Sequence, residues 1–485
     1  DTREIVDAGL AYHTVYDAFG NVPTNTDFLG GLDGFSRFCS SILVEANQFA
    51  KGSGNGNGEK NGRARGLQNP IYFTGEEDGG FFNPVGGAEW ALDVATGELW
   101  QVPAMGRGAW ENITQIDTGN NKTVAFILAD DSSPFDFDGD NEKEVAPLFL
   151  YVGTKDKKGD FLGRNGLRDG KLYVWVSDTG ETLPSQFNTT GELDGSWVEI
   201  DNERRPELAQ PDRKASDFDR TGYDENGYPT QGNLWLQAKD LGAFGFSRPE
   251  DVATNPDKPN AAVLASTGVD NFDIDPMTGN GVDTFGTMYV IETDFDTMTA
   301  ELEIIYDGDA DPSRALRSPD NLDWGDDGYI YIQEDKAEDV TASGDEFLFG
   351  TRQEVDDVLT DCDPNGLSGP LCAQNGAEAG IVLMDEETGA VLRIASIDRS
   401  VVLDASIDDP TDAVDNDAGI AGEWESSGIV DVSTLFDEEP GTLFLFDVQA
   451  HGIDDQEDVN PSSRISDGDL VEGGQLLFLM APEDD

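Results

Sequence analysis

The sequence predicts an all-β fold, a β-propeller with long loop insertions. Three observations carry that expectation. One short strand pattern recurs along the whole chain: a glycine, one residue, then an apolar run rich in aromatic and β-branched side chains. Glycine is abundant, 56 of 485 residues, which marks many turns. Helical periodicity is scarce. Irregular recurrence of one strand type over a long chain is what a propeller of small sheets leaves in a sequence.

The strands are "GELWQV" from Gly97, "GKLYVWV" from Gly170, "GTMYVIE" from Gly286, "GYIYIQE" from Gly328, "GTLFLFDV" from Gly441 and "GQLLFLM" from Gly474. Each is a short β-rich run behind a turn glycine. Turn signals such as "DVATGE", "DPMTGN" and "DEETGA" lie between them. A single β-sandwich, the alternative, would have fewer and longer strands and a shorter chain. Residues 52–66, "GSGNGNGEKNGRARG", read as a flexible Gly/Asn-rich loop, and residues 201–232 as a polar, turn-rich insertion. Strand motifs continue on both sides of each, so residues 1–485 are expected to form a single domain.

Charge bounds the function. The chain has 30 Lys plus Arg against 98 Asp plus Glu, a net charge of −68 spread over its length. Such a surface repels nucleic acid and anionic membranes, because phosphate binding needs Lys and Arg. It suits salty surroundings at the cost of self-repulsion. Bound divalent cations would neutralise part of it.

Of the three cysteines, Cys362 and Cys372 bracket the turn-rich "DPNGLSGPL", and a disulfide closing that loop is expected in an oxidising compartment, with free thiols the alternative. Cys39 is left over. No run of about 18 apolar residues could span a bilayer. Numbering from Asp1 resembles a chain after signal removal. A secreted, periplasmic or cell-surface protein, with no membrane insertion, is the expectation.

Two kinds of acidic cluster stand out. In "DFDGDNEKE", Asp136, Asp138 and Asp140 alternate around Gly139, a spacing that suits a secondary calcium site. No acid occupies the closing position of an EF-hand loop, which is Pro147. "DGDAD", with Asp307, Asp309 and Asp311, and "DFD", with Asp217 and Asp219, are weaker versions. Other acids end apolar strands: Glu76 and Glu77 after "IYFTG", Asp130 and Asp131 after "VAFILA", Glu334 and Asp335 after "YIYIQ", and Asp447 in "LFLFDVQAHG". Strand ends meet at one face of a propeller, where converging carboxylates share protons or bind cations. Taken singly, each pair reads as a solvated turn. Only two histidines, His13 and His451, leave zinc hydrolase motifs and a His-based triad poorly supported. No phosphate-cradling loop or dinucleotide fingerprint is present.

Nine stretches in order resemble the PhoX-type alkaline phosphatases and their secreted relatives: "GFSRFCSSIL" from Gly34, "IYFTGEEDGG" from Ile71, "MGRGAWENI" from Met105, "ILADDSS" from Ile127, "LFLYVGTKDKKGDFLGRNGLRDGKLY" from Leu148, "FSRPEDVA" from Phe246, "SPDNLDWGDDGYIYIQED" from Ser318, "ESSGIVDVS" from Glu425 and "TLFLFDVQAHG" from Thr442. The resemblance implies a six-bladed propeller, a calcium and iron cluster in its central channel, and hydrolysis of phosphomonoesters there. By motif, Glu76 and Glu77 match the acids of the family's Thr-Cys-Glu-Glu-Asn element. Glu111 matches the Glu after its Gly-Arg stretch, Arg248 and Glu250 its Arg-x-Glu pair, and Asp320 and Asn321 its Pro-Asp-Asn. The implied catalytic residues are Arg248, Glu250 and Glu111. The metal ligands would be Glu76, Glu77, Glu111, Glu250, Asp320 and Asn321, joined by the strand-end acids Asp131 and Asp335. Two departures bear on iron more than on calcium: Gly75 stands where the family has an iron-ligating Cys, and Trp110 where it has a His. The expected reading is a secreted phosphoesterase with calcium as cofactor and a phosphorylated small molecule as substrate. The alternative is a calcium-stabilised surface-layer, filament or binding propeller without catalysis.

Overall fold

The computed structural model describes residues 9–22, 35, 37–49, 65–79, 83–130, 145–187, 191–209, 221–268, 283–310, 315–335, 379–397, 413–415, 425–455 and 470–480. The chain is nearly all β, as its sequence predicts. By its internal contacts it divides into two compact units, residues 1–264 with 289–304, and residues 265–288 with 305–485.

The first sheet is an antiparallel meander of β1 (Phe38–Val44), β2 (Ile71–Glu76), β3 (Gly87–Asp93) and β4 (Glu98–Gln101), the blade-type unit of a propeller. Thr14–Tyr16 adds in parallel to the β4 edge, where the Tyr16 ring stacks on Trp100 with centroids 4.4 Å apart.

A nine-stranded sheet follows. Its strands are β5 (Trp110–Ile116), β6 (Thr123–Asp130), β7 (Phe149–Thr154), β8 (Gly170–Ser177), β9 (Glu192–Ile200), β10 (Pro249–Thr254), β11 (Ala261–Ser266), β12 (Thr287–Asp294) and β13 (Thr299–Asp307). The order across it is β10-β11-β12-β13-β9-β8-β7-β6-β5. It curls until its two edge strands face each other through side chains. The Thr114 and Thr254 hydroxyls are 2.7 Å apart, Thr254 donates to the Gln115 carbonyl at 2.8 Å, and the Asn112 amide donates to Asp251. The sheet is thus nearly closed.

Period-2 alternation explains why "VAFILA" is apolar throughout. Val124, Phe126 and Leu128 enter one core cluster with Phe73, Trp110, Phe149 and Leu172. Ala125, Ile127 and Ala129 enter a second with Leu150, Trp175, Trp197, Phe246 and Tyr289. A strand covered on both faces needs apolar residues at every position. The six glycine-led motifs all fall on strands. At Gly97 and Gly286 the backbone is left-handed, φ +66° and +83°, which side chains adopt only with strain.

Helices are few. α1 (Phe161–Asn165) is capped by Asp160, which accepts from the Gly163 N–H, and α2 (Gln231–Leu241) by Thr230, which accepts from the Asn233 N–H. α2 begins within the end of the polar stretch 201–232 and buries Leu234, Trp235 and Ala238. Of residues 52–66, only Arg65 and Gly66 are among the described residues.

In the second unit, β14 (Pro319–Trp324), β15 (Ile330–Glu334), β16 (Gly380–Asp385) and β17 (Ala390–Ser396) form another four-stranded meander. β19 (Leu443–Asp455) pairs with β18 (Glu425–Asp431) and with β20 (Leu470–Met480). Tyr331, Ile381, Ile429, Phe444 and Phe446 make a small core there, with the Tyr331 and Phe444 rings 4.1 Å apart.

Candidate metal centre

The paired acids at strand ends divide into two jobs. In each described pair the first acid closes the second strand of a meander and is buried as an acceptor. Glu76 accepts from the Ala88 N–H at 3.1 Å and the Trp90 indole at 3.0 Å. Asp130 accepts from the Ala109 N–H, the Gln231 amide and the Trp235 indole at 2.7–3.0 Å. Glu334 accepts from the Arg317 and Gly380 N–H groups at 3.1 Å and pairs with Arg393 at 2.6 Å. These carboxylates satisfy buried donors that would otherwise be orphaned at the strand ends.

The second acid points elsewhere, because one step along a strand reverses the face. Glu77 turns towards Cys39 and Glu111. One donor atom from each of the three lies within 4.8 Å of the other two. The Glu77 carboxylate also pairs with Arg37. Glu76 belongs to no such group among the described residues, so the tolerance of "GEED" rests on sending its neighbours to different environments.

Two β-bulges build this group. Phe38 pairs with Glu76 and Ser41 with Thr74, so Cys39 and Ser40 together oppose Gly75. Trp110 pairs with Asp130 and Ile113 with Leu128, so Glu111 and Asn112 together oppose Ala129. A bulge re-aims a side chain that a regular ladder would send to the other face. Burial, then the Glu111 and Glu77 carboxylates, push the Cys39 thiol far above its ordinary pKa.

Glu111 also has a carboxylate oxygen within 4.8 Å of one from Glu250 on β10. Glu250 is buried and pairs with the Arg248 guanidinium at 2.6 Å, whose side chain is 24% exposed. Arg248 has φ +59°, an unfavourable conformation for an L-residue, which holds its side chain beside the acid. Glu250 is therefore the neighbour of both Glu111 and Arg248.

Asp320 and Asn321 lie in the second unit, in a bulge of β14 between Pro319 and Leu322. The Asn321 carbonyl is committed to the Gly428 N–H at 3.0 Å and to the Ser427 hydroxyl. Asp335 is held by its backbone, which donates to the Ser318 carbonyl and accepts from Arg317. Asp307 accepts from the Asp309 and Ala310 N–H groups, an Asx turn, and Asp309 from the Phe285 N–H. Asp131, the Asp136–Asp138–Asp140 loop, Asp217, Asp219, Asp311, Cys362 and Cys372 lie outside the described residues. Sequence reasoning missed Arg37 and left Cys39 without a role. The available signal was a cation and a thiol two residues apart in "SRFCS", in a chain poor in both.

Gly75 is fixed by packing. A Cβ there would sit 2.4 Å from the Trp110 carbonyl oxygen and 2.6 Å from its Cβ. Trp110 is fully buried. Gly75→Ala is therefore expected to destabilise the protein by about 2–3 kcal/mol, read as a lowered urea midpoint. A midpoint equal to that of the unmodified protein would show that β5 yields freely at Trp110.

The Cys39, Glu77 and Glu111 group fits a metal ion, with two carboxylates and a thiol within 4.8 Å of one another. Carboxylates serve calcium or iron, whereas a thiol serves transition metals.

The profile of the family "Alkaline phosphatase PhoX" matches residues 98–391. Among solved structures, Pseudomonas fluorescens PhoX in complex with vanadate, a transition state analogue, is similar at 16% identity and a TM-score of 0.43; the match covers 81% of this chain and 57% of that one. The chain thus matches little more than half the length of that structure. No curated protein matches the sequence. Among the described residues no helix is long and apolar enough to cross a membrane.

Proposed function

The chain belongs to the alkaline phosphatase PhoX family, and from that premise we propose that it hydrolyses phosphate monoesters at a metal centre held by Glu77, Glu111 and Glu250. The observation that carries the reading is Arg248 paired with Glu250, whose carboxylate lies within 4.8 Å of that of Glu111. A purely structural cation site has no use for a guanidinium at its rim. In a chain at −68, an anionic substrate needs a local reversal of the field.

A bound cation supplies Lewis acidity towards phosphate oxygens and lowers the pKa of water. The chain's own residues do the rest. Arg248, placed beside Glu250 by their ion pair, is the proposed guanidinium that meets phosphate oxygens. Glu250 fixes its direction. Asp251 and Asn112 hold β10 against β5, and so set the spacing of Glu250 from Glu111. Calcium is the proposed cofactor, and a small phosphorylated molecule the proposed substrate. The acidic surface, suited to salty surroundings, supports a location outside the cytoplasm.

The test is hydrolysis of p-nitrophenyl phosphate with calcium, before and after chelation. Turnover that chelation abolishes and calcium restores is the expected result. No turnover from folded, calcium-binding protein would overturn the reading and leave a calcium-stabilised surface, filament or binding propeller.

A further inference from the structure

We infer that Cys39 is a thiolate ligand of the metal centre, together with Glu77 and Glu111, and that this corner of the site takes a transition metal rather than calcium. The inference rests on the function proposed above only in taking the site to hold a metal.

Three features of the molecule carry it. The first is distance. One atom each from Cys39, Glu77 and Glu111 already lies within 4.8 Å of the others. Ligands sharing one ion at bond lengths of about 2.0–2.3 Å sit about 3–4 Å apart, so a small contraction closes the set. The second is aim. The β1 bulge places two residues, Cys39 and Ser40, opposite Gly75, and Gly75 has no room for a side chain of its own. The bulge thus supplies a donor where the paired strand cannot. The third is composition. A structural cysteine packs as a small apolar group, but this one is only partly buried, has no disulfide partner among the described residues and stands among two carboxylates and Arg37. Calcium takes hard oxygen ligands, whereas thiolates take ions of the zinc and iron kind. On binding, the S–H bond is exchanged for a sulfur–metal bond and the proton leaves to solvent, so uptake weakens as pH falls.

The test uses the full chain, stripped of metal and titrated with Co²⁺ alone. A thiolate-to-cobalt charge-transfer band in the near ultraviolet is expected. It should be lost in Cys39→Ser and retained in the Cys362→Ser/Cys372→Ser double variant. Should Cys39→Ser fail to fold, alkylation of the unmodified protein by iodoacetamide decides: Co²⁺ should slow labelling of Cys39 by at least about tenfold. Cobalt binding without the band, a band unchanged in Cys39→Ser, or labelling indifferent to metal would overturn the inference. The two readings fail separately. Calcium-restored phosphatase turnover with unprotected Cys39 would sink the thiolate and keep the phosphoesterase; a Cys39-dependent band without turnover would support the thiolate and sink the phosphoesterase.

Discussion

Arg248→Ala lowers p-nitrophenyl phosphate turnover by two to three orders of magnitude and leaves the circular dichroism spectrum unchanged. Removing one pre-aimed donor from a transition-state anion costs about 10²–10³ in kcat, and a guanidinium can meet a phosphate in bidentate fashion. The fold is expected to survive. The side chain is 24% exposed, and its left-handed backbone, φ +59°, is a strain that arginine and alanine bear alike. Arg248→Lys keeps the charge but loses the fork, so it should fall between the two. Loss of folded signal in Arg248→Ala, instead of loss of turnover alone, would assign Arg248 a structural role.

The largest stability effect is expected at Arg107. Its side chain is fully buried and donates through Nε and Nη2 to Asp224 at 3.1 and 2.8 Å, and to Glu225 at 3.2 Å. Arg107→Ala leaves two carboxylates buried without their cation, which costs about 3–5 kcal/mol. The loss depends on pH. Burial, then the Asp224 charge, raise Glu225 to about 7, against the pull of Arg107 in the other direction. A carboxyl raised in the folded state keeps its proton there while the unfolded chain has lost it. Stability from this group is therefore full below the unfolded value near 4.3 and falls as pH rises through about 7. Without Arg107 the folded value moves higher still. Urea unfolding of Arg107→Ala should show a larger deficit at pH 8 than at pH 5.5. A deficit under about 1 kcal/mol at pH 8 would mean that water reaches these carboxylates.

Much of the fold was legible. The run behind Gly170 is β8, the run behind Gly328 leads into β15, and "VAFILA" is a strand buried on both faces. These patterns are local, because period-2 alternation and turn chemistry act over a few residues. The candidate site was legible only in part. The paired acids drew attention to the right strand ends, but sequence adjacency suggested that both members face one site. Alternation separates them: Glu76 closes a strand end while Glu77 faces Cys39 and Glu111.

The sequence by itself determined the all-β class, the strands, the acidic field and the family motifs around Glu111 and Arg248. Each of these is a property of composition or of short windows. Only the tertiary structure decided which strand-end acids serve buried donors, that Cys39 lies beside Glu77 and Glu111, and that Gly75 must lack a side chain. The reason is that bulges at Cys39–Ser40 and Glu111–Asn112 are set by pairing with strands far along the chain, and carry no glycine or proline to announce them. A bulge changes which face a side chain takes, and that is a fact about two strands together.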